Sequence, residues 1–142
     1  MRLPLLVSTV AGLMLGLGAG WAMADVVAIV SARSPATALS KSQITDIFLG
    51  KSSRYPDGTL AVPVNQAEGS PARDEFYLTF AGKSSAQLKA YWSKIIFTGR
   101  GQPPREVANG AEVRKMIAEN PGTIGYIDQS LVDQSVRVLS SP

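Results

Sequence analysis

Apolar positions along this chain follow two patterns, short continuous runs and stripes with helical spacing. Val26 to Val30 is a continuous apolar run, which is typical of a strand buried on both faces. Leu60 to Val64, Thr123 to Ile127 and Val136 to Leu139 predict three further strands. Pro63 lacks a backbone donor, so we expect an edge position or an early end for the strand that contains it.

Four helices are predicted from capping residues that precede apolar positions at helical spacing. These caps are Ser40, Ser70, Ser84 and Asn109. The helix after Ser84 has the clearest amphipathic stripe, formed by Leu88, Tyr91, Trp92, Ile95 and Ile96. The order β-α-β-α-α-α-β-β predicts an α/β fold, a small sheet flanked by helices in one domain.

The first 24 residues are predicted to be a secretory signal that precedes this domain. Arg2 gives a positive start, Leu5 to Trp21 is apolar, and Ala22 and Ala24 place small residues where a signal peptidase reads. We therefore expect cleavage after Ala24, a periplasmic location and a mature domain of residues 25–142. A membrane anchor is the alternative interpretation, but the apolar run is short for spanning and lacks a basic stop.

The composition removes several classes of function. The formal net charge is +3, and the lysines and arginines form no run, so we expect no nucleic-acid partner. A mildly basic surface favours small anions or acidic partners. Because the sequence has no cysteine and no histidine, disulfides, thiolate and imidazole metal ligands and imidazole acid–base catalysis are excluded. We expect no cofactor.

The stretch VNQAEGSPARDEF contains the principal candidate site, at Gly69, Ser70, Ala72 and Arg73. A strand is predicted to end here and a helix to begin, and the free amides of a helix start favour an anion. Arg73 would add a positive charge from the first turn. The alternative is that Ser70 simply caps the helix, and Glu68 would repel an anion if its side chain pointed inward.

Two further loops carry polar residues of interest. Ser31 and Ser34 follow the first strand, and ligands in α/β folds bind beyond the carboxyl ends of strands. We therefore include them as candidates that share the Ser70 site, with a solvated loop as the alternative. Arg100 and Arg105 flank a Gly-Gln-Pro-Pro loop and form either a positive rim or a solvated loop.

A serine hydrolase with Ser70 as nucleophile is the enzymatic alternative. Without histidine, only a lysine such as Lys51 or Lys83 is left as the base. Pro71 follows the serine and removes the amide that a nucleophile elbow uses for its oxyanion hole. We therefore expect no enzymatic activity.

Five stretches resemble the phosphate-binding protein of the ABC phosphate transporter in order and spacing. They are LSKSQITDIFLGK (39–51), YPDG (55–58), EGSPARDEF (68–76), YWSKIIFTGRGQPP (91–104) and NPGTIGYID (120–128). Larger members of that family are two-lobed clamshells that close on phosphate and deliver it to a permease. This chain resembles the short, single-lobe relatives of the type 2 periplasmic binding fold.

The resemblance also implies where phosphate would bind and how this chain departs from the pattern. The family's phosphate loop is similar to Arg-Ser-Asp-Gly-Ser-Gly-Thr, which aligns with residues 66–72 of this sequence. Gly69 and Ser70 match, whereas the arginine is Gln66, the second glycine is Pro71 and the threonine is Ala72. These changes remove a bidentate charged contact, an amide donor and a hydroxyl.

Two functions follow from these observations. The first is a binding module for a small oxyanion such as phosphate, linked to ABC-type transport. The second is an interaction protein that has lost phosphate binding and docks on a membrane transporter, a sensor or a second copy of itself. Gain of thermal stability with millimolar phosphate separates the two.

Overall fold

The computed structural model of the chain describes residues 25–36 and 38–140. The predicted signal segment, its cleavage site after Ala24 and the alternative membrane anchor lie outside the described residues and stay predictions. Within the described ranges, no helix combines the length and apolarity needed to cross a bilayer.

Five strands and four helices make up the described chain. The strands are β1 (Val26–Ser31), β2 (Val62–Gln66), β3 (Arg105–Val107), β4 (Thr123–Asp128) and β5 (Val136–Ser140). The helices are α1 (Lys41–Phe48), α2 (Pro71–Phe76), α3 (Ser85–Phe97) and α4 (Gly110–Glu119), with a π turn at Tyr77–Ala81 and a 3-10 turn at Gln129–Leu131.

The strands form one mixed sheet in the order β3-β2-β4-β1-β5. β2 is parallel to both β3 and β4, whereas β1 is antiparallel to both β4 and β5. The carboxyl ends of β2, β3 and β4 therefore lie at one edge of the sheet, and the carboxyl end of β1 lies at the opposite edge.

Successive side chains of β1 enter two different cores, because side chains alternate across a strand. One core lies on the face covered by α1, α2 and α3, and Phe76 stacks there on Tyr126 with ring centroids 4.1 Å apart. The other lies against α4, through Val113 and Ile117. The α/β architecture of a sheet flanked by helices is therefore confirmed.

The predicted helix starts are confirmed in detail. Ser40 and Ser84 form capping boxes with Gln43 and Gln87, Asn109 caps the amide of Glu112, and Ser70 precedes Pro71 at the first helical position. Local hydrogen bonding fixes these positions, which is why the sequence alone located them.

The structure differs from the prediction at three places. β3 was not predicted, because three residues with only Val107 apolar give no strand pattern. Pro63 lies in a strand with neighbours on both sides, but β3 first pairs at Val64, so Pro63 itself has a neighbour on one side only. Ile96 was predicted to face inward and is 52% exposed, whereas its neighbour Ile95 packs against the core.

Candidate functional site

The Gly69–Ser70 corner joins β2 to α2 at the edge where β2, β3 and β4 end. The Ser70 hydroxyl oxygen accepts a hydrogen bond from the amide of Arg73 at 3.4 Å, and its own proton goes to Gln66 Oε1 at 2.9 Å. Ser70 therefore caps the helix, as the alternative interpretation of the sequence expected, and no lysine of the described chain forms a hydrogen bond with this hydroxyl.

Gln66 stabilises the Gly69–Ser70 corner through its side-chain hydrogen bonds. Its side chain is buried, donates from Nε2 to the carbonyl of Tyr126 at 2.9 Å and accepts from Ser70. The Gln66 side chain therefore links β4 to the start of α2. It presents no charge to a ligand.

Arg73 is the cation nearest the corner, and it is already paired. Its Nη1 donates to Glu106 Oε1 at 2.6 Å and to the carbonyl of Gln66 at 3.0 Å. Because Glu106 belongs to β3, the strand that the sequence did not reveal, this partner was not predicted. Any anion that binds Arg73 therefore has to compete with the carboxylate of Glu106 for the guanidinium.

A buried polar network lies beneath the corner. The hydroxyls of Tyr77 and Tyr126 both donate to Asn65 Oδ1, at 3.1 and 2.7 Å. The backbone amide of Gln66 donates to the hydroxyl oxygen of Tyr126 at 3.1 Å. Burial raises the pKa of both phenols well above the usual range. Both tyrosines therefore stay neutral donors that fix the end of β2.

One backbone amide at the start of α2 is left unpaired in the described part of the chain. The amide of Ala72 has no hydrogen-bond partner among the described residues, and Pro71 contributes none. Gly69 has a φ of +89°, and a Cβ placed on it would meet open space. An unpaired amide, a serine oxygen and a largely covered guanidinium thus lie close together, beside a glycine with space next to it.

A groove of about 240 Å³ lies beside the corner, between α2, α3 and the segment that leads into β3. Three carboxylates line it, from Glu68, Asp74 and Glu106, together with the cations Arg73 and Lys89. Its remaining walls include Leu88, Trp92, Ile96 and Pro103. Glu68 therefore faces the groove beside the corner, which weakens the attraction of the corner for an anion.

Ser31 and Ser34 do not join this site. Val30 and Pro63 both pair with Ile124, so Ser31 is level with the start of β2. Ser70 lies past the other end of that strand, about 13 Å or more further along the sheet. The expectation of a shared site was wrong because β1 runs antiparallel to β4, and a helix–strand alternation does not reveal strand direction.

Both serines have structural hydrogen bonds of their own. Ser31 Oγ donates to the carbonyl of Ala118 at 3.3 Å near the end of α4, and Ser34 Oγ accepts from the amide of Ala36 at 3.2 Å. Arg137 Nη2 also donates to the carbonyl of Ser34 at 2.5 Å. These bonds order the loop after β1.

Among the described residues, no group of three or more acidic, histidine or cysteine side chains is placed to hold a metal ion.

The two arginines of the predicted positive rim lie in different elements of the structure. Arg105 lies in β3, next to Glu106, whereas Arg100 is exposed just after α3.

The comparisons with known proteins bear on the fold. No protein-family model matches the sequence, and no curated protein sequence matches it. The structure is similar to a proposed phosphate ABC transporter substrate-binding protein from Clostridium perfringens, solved with bound phosphate, at 23% identity and a TM-score of 0.65. The similarity covers 82% of this chain and 44% of that one.

Two further solved structures are similar to this chain. An ABC-type phosphate transport receptor from Vibrio cholerae has 17% identity and a TM-score of 0.64, over 82% of this chain and 45% of that one. PstS from Borrelia burgdorferi has 18% identity and a TM-score of 0.54, over 82% and 46%. The chain has the fold of one lobe of a periplasmic binding protein. The chain spans less than half the length of these solved proteins.

Proposed function

We propose that this chain is a non-enzymatic binding-protein lobe that takes a small oxyanion such as phosphate, weakly, at the Gly69–Ser70 corner. Ala72 supplies an amide donor, Ser70 a hydroxyl that turns from Gln66 to the ligand, and Arg73 a guanidinium that turns from Glu106. The observation that carries the proposal is the amide of Ala72, which has no hydrogen-bond partner among the described residues, beside Gly69, where a Cβ would meet open space. A solved neighbour of the same fold was obtained with phosphate bound.

The affinity expected from this corner is low. A single shared guanidinium replaces a dedicated arginine, and Glu68 and Glu106 place negative charge close by. We expect a Kd between about millimolar and tens of micromolar. Such affinity suits a module that works at high local ligand concentration, in the periplasm and beside an ABC-type transporter.

A titration of thermal stability tests the proposal. Phosphate or sulfate at ten times Kd stabilises a protein that binds only when folded by about 1.4 kcal/mol. The Ser70→Ala, Arg73→Ala double variant, compared with its own midpoint without ligand, should show no gain. Arg100→Ala is the matched control because its charge lies outside the corner, and it should keep the gain. Chloride at equal ionic strength controls for general salt effects.

The second function, a non-catalytic interaction lobe without phosphate binding, is favoured by one specific observation. Arg73 is neutralised by Glu106 in the absence of any ligand, so the corner needs no anion to be electrostatically satisfied. If no common oxyanion raises the melting temperature, this function replaces the first. Its partner would then be a transporter, a sensor or a second copy of the chain.

A further inference from the structure

The C-terminal end of α3 presents an unusually exposed aromatic residue. Phe97 is 93% exposed, and Ile96 beside it is more than half exposed. Arg100 follows within the same turn, where its amide donates to the carbonyl of Ile95 at 3.2 Å, and it has no ion-pair partner among the described residues. The helix end is therefore an ordered knob with an apolar tip, formed by residues 97–100, and the positive charges of Lys94 and Arg100.

The groove beside α2, described above, has the complementary character. Its apolar part is formed by Leu88, Trp92, Ile96 and Pro103. Its five charged groups are three carboxylates and two cations, so the lining carries one net negative charge. The positive charge of the helix end is opposite in sign to this lining, and an aromatic ring fits a volume of about 240 Å³.

Trp92 supplies a second observation at the same groove. Its side chain is buried and lines the groove, yet its indole Nε1 has no acceptor in the described part of the chain. A buried donor without an acceptor is costly, and most such groups have a partner. The nitrogen itself is covered by protein atoms, so an incoming backbone carbonyl or hydroxyl would satisfy this donor only once the indole shifts toward the groove.

We propose that the groove receives the Phe97–Arg100 knob of a second copy of this chain, so that two copies form a two-fold symmetric pair. The knob and the groove both belong to α3, since Ile96 lines the groove and Phe97 is its neighbour on the helix. A surface that carries a knob beside its own receptor is self-complementary, which is the requirement for a two-fold interface. This inference deepens the second function above by naming the partner.

The size of the contact sets the expected strength. A buried phenylalanine contributes about 150–250 Å² of buried surface. Two such residues and the surface around them would bury an area at the lower end of the range for specific interfaces, about 1,200 Å². We therefore expect a reversible dimer with a Kd on the order of micromolar to tens of micromolar.

Sedimentation equilibrium of the secreted, processed chain tests the inference, over a range of about 1 to 500 µM. The wild-type chain should pass from monomer to dimer, and Phe97→Ala should weaken association at least about tenfold. Leu78→Ala is the matched control, because Leu78 is 62% exposed but does not line the groove, and it should dimerise normally. Arg100→Glu should weaken dimerisation, and adding Glu68→Lys should restore part of it.

Cross-linking locates the contact independently. Because the chain has no cysteine, Ser93→Cys in the groove and Thr98→Cys beside the knob give single reactive sites. A mixture of these two variants should form a disulfide-linked heterodimer, which Phe97→Ala prevents. A chain that stays monomeric throughout, or a dimer that Phe97→Ala leaves unchanged, overturns the inference. Phosphate stabilisation is a separate readout, so failure of this inference is distinguishable from failure of the proposed phosphate binding.

Discussion

Arg73 and Glu106 form an ion pair, with Nη1 and Oε1 2.6 Å apart, at the helix start that resembles a phosphate loop. The guanidinium is well covered, and the carboxylate is about half exposed. A carboxylate from a short neighbouring strand thus takes the position at which an oxyanion would meet its cation.

Removing this carboxylate should strengthen phosphate binding. In Glu106→Gln the guanidinium of Arg73 is no longer neutralised, and we expect phosphate to bind about three- to tenfold more tightly, equivalent to about 0.7–1.4 kcal/mol. Isothermal titration calorimetry at low ionic strength measures the change. Glu112→Gln, on the exposed side of α4, should leave the affinity unchanged. An affinity that stays equal or falls in Glu106→Gln would contradict the role of Arg73 in the site.

Gln66 should matter for stability more than for ligand binding. Gln66→Ala removes an acceptor from Ser70 and a donor from the buried carbonyl of Tyr126, and we expect a loss of about 2–3 kcal/mol in the free energy of unfolding. Urea denaturation measures the loss. Gln102→Ala lies in an exposed loop and should change stability by less than about 0.5 kcal/mol.

Three buried tyrosines predict a loss of stability at high pH. Burial, with a smaller effect of Asp57, raises the pKa of Tyr55 to about 12, and burial also raises the pKa of Tyr77 and Tyr126. The unfolded chain releases these protons near pH 10, so their stabilising contribution is complete below about pH 10 and falls as the pH rises above it.

Absorbance at a phenolate wavelength, recorded beside circular dichroism, checks this pH dependence. Phenolate formation by the buried tyrosines should coincide with unfolding, whereas the partly exposed Tyr91 should ionise earlier. Tyr77→Phe removes one titrating group and also the hydrogen bond to Asn65. Once the loss of stability at neutral pH is subtracted, the midpoint of alkaline unfolding should shift to higher pH. Ionisation of all four tyrosines in a folded chain would contradict the assignment.

Gly125 should tolerate no side chain. A Cβ at this position would lie 2.7 Å from Val113 Cγ1 and 3.2 Å from Ile117 Cδ1, where α4 packs on β4. We expect Gly125→Ala to cost about 1–3 kcal/mol through overpacking, measured by thermal or urea denaturation. Gly101→Ala is the control, because its nearest neighbour would be Ile95 Cγ2 at 3.6 Å, an ordinary contact.

The sequence predicted the features that depend on neighbouring residues. The caps at Ser40, Ser84 and Asn109 and the buried strand at Val26 to Val30 need only local hydrogen bonds or a continuous apolar run, and the structure confirms them. Strand direction depends on contacts between distant segments. For that reason the sequence did not show that Ser31 lies at the opposite edge of the sheet from Ser70.

The parts of the candidate site that the sequence did not predict also depend on contacts between distant segments. Glu106 lies in a three-residue strand with no apolar alternation, so nothing in its local sequence indicates that it reaches Arg73. The groove around Trp92 is assembled from α2, α3 and the approach to β3, and its charge follows from which side chains converge. A stripe on α3 alone indicated only that Trp92 would be buried, which is confirmed.

The position of β1 in the sheet has a consequence for how the polypeptide assembles during synthesis. β1 is the first strand made, but its two neighbours, β4 and β5, are the last. Its hydrogen bonds to both neighbours must therefore wait until nearly all of the described residues have been synthesised. Such long-range pairing slows folding, so we expect the sheet to be completed in a late step, after α1 and α2 have formed.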